Sequence, residues 1–252
     1  MKTLVKVILS ATIISALLLS GCGKDKSQPD ITVTVDGSDI TVNTNAGKEA
    51  VDASGSISSK EVSVADGEYA VTFDDFTYTD GSVKIVVNDS GSSASLECEE
   101  NILNDFDIEV DDSAKTIKVK NNAPGRSYHG INMALTVNAP VNTISCGGAV
   151  EITYTAPESC EKVTLDLSGT ASFMGTGSCK ELVVSASGGA AIDASALTGD
   201  VVKVDASGAA DVNVKAVQTI KIVAEGASHV KYSCDTDDVT ESVSGVATVE
   251  KA

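Results

Sequence analysis

Six glycines set the frame of this chain: Gly148, Gly169, Gly188, Gly208, Gly226 and Gly245, at spacings of 21, 19, 20, 18 and 19 residues. A period near 20 indicates stacked units, none of which can bury its apolar face alone. Aligned on these glycines, the flanking sequences fall into columns. Two residues before glycine stand Cys146, Leu167, Ala186, Ala206, Ala224 and Val243; four before stand Ile144, Leu165, Val184, Val204 and Ile222. Two after stand Val150, Ala171, Ala190, Ala210 and Ala247, with Ser228 as the exception; four after stand Ile152, Phe173, Ile192, Val212, Val230 and Val249. Every second residue is apolar, which is the alternation of a strand with one buried side. Thr164, Asp166, Lys203, Asp205, Asp211, Asn213, Lys221 and Lys231 fall between the columns and are expected to face solvent.

Short in-register strands without a helical stretch predict an all-β fold: a single-stranded parallel, right-handed β-helix with about 20 residues per rung. The glycines have the parity of the inward columns. They are expected at a corner, where the chain bends and a side chain does not fit. Before residue 140 the pattern is less regular. Residues 31–42 read as a hairpin or first coil turning at Asp36-Gly37, and 62–87 as further strands. Residues 102–119 read as two strands around a turn near Asp111 to Ala114. Residues 121–130 read as a loop, and the next stretch as a strand closed by Pro140.

The N-terminus predicts an address. Lys2 and Lys6 precede an uncharged stretch from Val7 to Leu19, too short for a spanning helix of roughly 20 residues and suited to a signal peptide. It ends in Leu19-Ser20-Gly21-Cys22, the bacterial lipobox pattern, in which the cysteine thiol is alkylated with diacylglycerol and the preceding peptide removed. The reading is therefore a lipoprotein signal peptide over 1–21, a lipid-anchored tether over 22–30 and one β-helix domain over 31–252. Such a protein is extracytoplasmic and held to a bacterial membrane at the cell envelope. Loss of Lys2 and Lys6 takes the formal net charge from -18 to -20.

The stretch from about 82 to 232 resembles the putative auto-transporter adhesin, head GIN domain family of bacterial envelope proteins. The features are "FDIEVDDSAKTIKVKN", then "MALTVNAPVNTISCGGAVEI" with Pro140 and the first rung, then the repeated Ser-Gly rungs, ending at "EGASHVKY". The resemblance implies a right-handed parallel β-helix and a role in adhesion. The family often has Ser-Gly-Ser-Gly-Asp where this chain has "SGTAS", "SGGAA" and "SGAAD", and it contributes no functional residues to this sequence.

Composition narrows the chemistry. An excess of 36 Asp+Glu over 18 Lys+Arg excludes nucleic acid as a partner, because phosphates need a basic surface. One arginine, Arg126, and two histidines, His129 and His229, are few parts for acid–base work. No catalytic, cofactor or metal residues are assigned. The acidic groups Asp74-Asp75, Asp105/Asp107, Asp111-Asp112 and Asp235/Asp237/Asp238 lack a calcium-loop pattern and read as solvated. Tyr69, Phe73, Phe76 and Tyr78 read as core or an end cap rather than as a sugar-stacking surface.

With Cys22 lipidated, Cys98, Cys146, Cys160, Cys179 and Cys234 remain, an odd number. Cys160 and Cys179 both lie nine residues before their rung glycine and are expected side by side on adjacent rungs, as a disulfide or as stacked thiols. The whole reads as a non-catalytic, lipid-anchored envelope protein. Its partners are the membrane, through the anchor, and a cell-surface glycan, peptide or protein; a spacer role fits equally. The alternative is a carbohydrate-active β-helix enzyme, a lyase or hydrolase.

Overall fold

The computed structural model describes residues 32–36, 39–43, 49–73, 78–89, 91–158 and 160–252. Contacts divide the chain into residues 1–49 and 50–252. In the first unit, Thr32–Asp36 and Asp39–Asn43 pair antiparallel, from Asp36 beside Asp39 out to Thr32 beside Asn43. The signal peptide, Cys22 and the tether lie outside the described residues.

The second unit is a parallel β-solenoid. Each rung has a strand before the glycine and a strand after it. From Ser172 on, the strand after one glycine runs without a break into the strand before the next, over Ser172–Ala186, Ala191–Ala206 and Asp211–Ala224. The register confirms the columns derived from the sequence: Ile144, Leu165, Val184, Val204 and Ile222 are successive partners, and so are Cys146, Leu167, Ala186, Ala206, Ala224 and Val243. On the other side of the glycine the ladder runs Ile152, Phe173, Ile192, Val212, Val230 and Val249. All but Val243 and Val249 of these are buried, so one continuous core runs along the stack.

Rungs of 18 to 21 residues stay in register because shifts in pairing midway between the glycines absorb the difference. The pairing shifts between Met174 and Thr176, and again between Ala194 and Thr198 and between Gly199 and Val201. An extra or missing residue there bulges the chain without turning the apolar faces outward.

The glycines form a ladder of their own. Gly148, Gly169, Gly188, Gly208, Gly226 and Gly245 all have left-handed φ, between 70° and 82°. A Cβ built on Gly169, Gly188, Gly208, Gly226 or Gly245 would fall 2.7–2.9 Å from a backbone atom of the preceding glycine. The corner is thus closed by backbone against backbone. Thr170, Gly189, Ala209, Ala227 and Val246 each donate an N–H to the carbonyl of the glycine one rung back, at 2.6–2.9 Å. Ser228, the exception in its column, is buried, and its hydroxyl donates to the Ala206 carbonyl at 3.3 Å.

The irregular N-terminal part begins the stack and closes it. Tyr69–Phe73 and Gly81–Asn88 form a rung that pairs parallel with Val141–Cys146 and Glu151–Thr155, more than 60 residues later in sequence. Beyond it, both sides end in antiparallel pairs. On one side Phe106–Asp111 pairs antiparallel with Thr116–Asn121. On the other, Ser93–Glu99 pairs antiparallel with both Ile131–Asn138 and Ile57–Ser63. The stretch expected as a loop after Asn121 holds a short strand, Arg126–His129, paired with Glu49–Asp52. Its Arg and Tyr side chains are fixed by Asp105, a partner invisible to local patterning.

Candidate binding surface

The outward residues of the solenoid form columns as regular as the inward ones. On the side before the glycine, Thr72, Ser145, Asp166, Ser185 and Asp205 are successive register partners. Val223 then interrupts the series, and Ser242 resumes it. Successive positions lie about 4.8 Å apart, so these five short polar side chains span about 19 Å. The neighbouring column runs Thr143, Thr164, Val183, Lys203, Lys221 and Thr240.

Charges at the start of these strands pair along the stack. Glu181 lies between two lysines, with Lys203 Nζ at 2.6 Å and Lys162 Nζ at 3.3 Å. The Lys203 hydrogen bond, followed by that from Lys162, holds the Glu181 carboxyl below its usual range. Lys180 and Glu161 pair at 2.5 Å. These groups are exposed, and such pairs order a surface more than they stabilise it.

After the glycine the outward columns are more mixed. Lys84 and Glu151 pair at 3.3 Å, and the column continues through Ser172, Ala191, Asp211, His229 and Thr248. His229 Nδ1 lies 3.2 Å from Asp211, and its Nε2 lies 3.7 Å from Glu250. Beside it, exposed Met174 is followed by Asp193, Asn213 and Lys231. Asp193 accepts from the Ser195 hydroxyl at 2.6 Å and from Asn213 at 3.4 Å.

The residues weighed for chemistry are dispersed and engaged. Arg126 Nη1 donates to both oxygens of buried Asp105, at 2.8 and 2.9 Å, and the Tyr128 hydroxyl donates to Asp105 at 3.1 Å. Burial, and then the hydrogen bond to Asp105, push the Tyr128 phenol up. The lone arginine thus locks the N-terminal end of the solenoid. His129 lies 4.0 Å from Asp80, far in the chain from the His229 cluster.

The acidic groups are equally spread. Asp107 binds Lys60 at 2.8 Å and Asn122 at 2.7 Å, and the Lys60 hydrogen bond leads in holding its carboxyl below the usual carboxylate range. Asp111 accepts the Ser113 and Ala114 N–H groups at 2.9 Å and so builds the turn. Asp112 accepts from the Tyr69 hydroxyl, Asp237 lies 3.9 Å from Lys251, and Asp238 accepts from Thr219 at 2.8 Å. Among the described residues no group of three or more His, Cys, Asp or Glu is placed to hold a metal ion. Asp74, Asp75 and Phe76 lie outside the described residues. Tyr69 and Phe73 are buried core residues.

Sequence reasoning missed Glu99. It is fully buried and accepts from both the backbone N–H and the side-chain amide of Asn132, at 2.9 Å each. A buried carboxylate bound in this way fixes structure; nothing in the local sequence around Glu99 marks it out.

Cys160 and Cys179 are register partners, as expected, and both are buried free thiols in this structure. Their column continues through Gly199, Ala216 and Cys234, all small residues. Among the described residues no helix is long and apolar enough to cross a membrane.

A solved structure of similar fold, named a putative adhesin, comes from Bacteroides fragilis: identity is 17% over 80% of this chain and 100% of that one, with a TM-score of 0.55. Two structures from Parabacteroides distasonis are also similar. One, named a putative adhesin, has 19% identity over 81% of this chain and 100% of its own, with a TM-score of 0.47. The other, named a putative lipid binding protein, has 13% identity over the same shares, 81% and 100%, and a TM-score of 0.47. At these identities the likeness is one of fold. No curated protein matches the sequence. The family described as "Putative auto-transporter adhesin, head GIN domain" matches residues 72–236, a wider span than the 82–232 of the resemblance. The match takes in the first rung from Thr72, the closing strands from Ser93 to Asn121 and the glycine corners from Gly148 to Gly226, and the chain belongs to that family.

Proposed function

We propose that the protein is a lipid-anchored component of the bacterial cell envelope that presents its solenoid to an extended ligand, a glycan or a peptide, and catalyses nothing. The observation that carries this reading is the column Thr72, Ser145, Asp166, Ser185 and Asp205, which repeats short hydrogen-bonding groups at the rung spacing. A ligand with its own regular repeat can engage several of these groups at once. Each hydrogen bond exchanged with water contributes only about 0.5–1.5 kcal/mol, so a single site is weak. Many copies anchored in one membrane raise the effective concentration and turn weak sites into firm attachment.

Membership of an adhesin family supports the reading. Anchoring rests on the lipobox at Cys22 and the charge-free stretch before it. The catalytic alternative asks for a basic group beside paired carboxylates to neutralise an acidic polysaccharide. The lone arginine is instead held by Asp105, and Lys162, Lys180 and Lys203 are taken up in ion pairs with Glu181 and Glu161. The test compares the chain in solution with the chain displayed in many copies on beads, against whole cells and purified wall polysaccharide. Capture in the displayed format supports the proposal. Absence of capture in both formats leaves the protein a spacer, and depolymerisation of the polysaccharide makes it an enzyme.

A further inference from the structure

We infer that Cys160 and Cys179 are a modification site: an inter-rung disulfide formed by exchange with a small disulfide compound. The two residues are direct partners in the parallel ladder, Cys160 at the first position of Cys160–Leu167 and Cys179 within Ser172–Ala186. In-register neighbours lie about 4.8 Å apart, inside the roughly 4.4–6.8 Å that a disulfide needs between Cα atoms.

The pairing is specific. Cys234 shares the same column but is reached only through Gly199 and Ala216, so three rung steps, or about 14 Å, separate it from Cys179. Cys146 belongs to another column, beside Phe73 and Leu167. Cys98 lies in the closing strands, opposite Ser58. Among the described residues Cys160 and Cys179 are the one adjacent pair.

The pair is also within reach. A cavity of about 450 Å³ is lined by both cysteines together with Ser178, Lys180, Thr198 and Asp200, and a small disulfide compound approaches the thiols through it. The Cys160 thiol donates to the carbonyl of Lys162, two residues further along its own strand, at 3.4 Å. Burial pushes both thiols up, so the attacking thiolate is scarce at neutral pH and exchange is slow.

In the exchange, one cysteine loses its proton and its sulfur attacks the carrier disulfide, releasing one carrier thiolate. The second cysteine loses its proton and attacks the mixed disulfide, releasing the other. The protein loses two electrons and two protons, and the carrier gains them as two thiols. The product ties together two rungs that are otherwise joined by backbone hydrogen bonds and core packing, and closes a loop of roughly 20 residues in the unfolded chain. In the cell this rests on the extracytoplasmic placement proposed above, since such bonds persist outside the cytoplasm.

The test uses the full chain in detergent. One sample is reduced, freed of reductant and incubated with oxidised glutathione. The other is taken from the native envelope, quenched in acid and then alkylated with N-ethylmaleimide in denaturant at neutral pH. Both are digested unreduced, and fragmentation distinguishes Cys160 from Cys146 within one tryptic peptide. A Cys160–Cys179 link in the glutathione-treated sample is the expected result, with a melting temperature raised by about 5–10 °C over the reduced protein. The Cys179→Ala variant should lose that rise while still melting cooperatively. Free thiols at both positions after glutathione treatment overturn the inference. A link there combined with free thiols in the envelope sample keeps the site and overturns the extracytoplasmic placement.

Discussion

A Cβ on Gly188 would stand 2.9 Å from the carbonyl oxygen of Gly169, one rung below. Its φ of 71° also lies in the left-handed region that side chains disfavour. Both penalties act at the same atom. Gly188→Ala is therefore expected to cost about 2–4 kcal/mol. Gly189 is the control. A Cβ there has its nearest contact at 3.7 Å, so Gly189→Ala should stay within about 0.5 kcal/mol. Urea titration of both variants checks this; equal losses would show that the corner is not closed by backbone contact.

Inward and outward positions differ by one residue. Ala206 is fully buried between Ala186 and Ala224, whereas Asp205 beside it is exposed. Ala206→Leu should overpack the coil and cost about 1–3 kcal/mol. Asp205→Ser should cost no more than about 0.5 kcal/mol. Chemical denaturation distinguishes the two, and a neutral Ala206→Leu would contradict the register.

Stability should fall in alkali as the buried thiols ionise. Burial pushes the Cys98 and Cys146 thiols from 9.0 up to about 12, with nearby Glu99 and Asp166 adding to the shift. A folded value above the unfolded one gives stability that is complete below about 9 and lost as pH rises toward 12. The melting temperature should decline across that window. In Cys146→Ala the decline should be shallower than in the wild type, and parallel curves would show that this thiol ionises freely in the folded state.

Replacement of Cys22 by alanine should abolish lipid attachment. The variant should accumulate unprocessed or be released, whereas the wild type partitions with membranes. Fractionation with mass analysis of the N-terminus reads this out, and a processed, membrane-bound Cys22→Ala protein would remove the anchor from the account.

The repeated half of the fold was legible because each rung faces its neighbour at a fixed sequence distance. Leu165 meets Val184 after 19 residues, and Val184 meets Val204 after 20, so a simple alignment on glycine recovers the register. The first rung was not legible, since Val71 meets Ile144 and Ile85 meets Ile152 across the inserted closing strands. Arg126 and Asp105 read as a scarce cation and a solvated acid; only folding places the guanidinium on the buried carboxylate. The polar column from Thr72 to Asp205 was visible in part as the outward positions Asp166 and Asp205. Its extension to Ser145 and Thr72 depends on that non-local first rung.

The account rests most heavily on weak repeated contacts along an outer face. The direct measurement is the dissociation rate of the full chain, displayed at graded density, from immobilised wall polysaccharide. The account predicts rapid release at low density, release slowed by at least about 100-fold at high density, and an intact polysaccharide throughout. A dissociation rate independent of density, or shortening of the polysaccharide during contact, would contradict it.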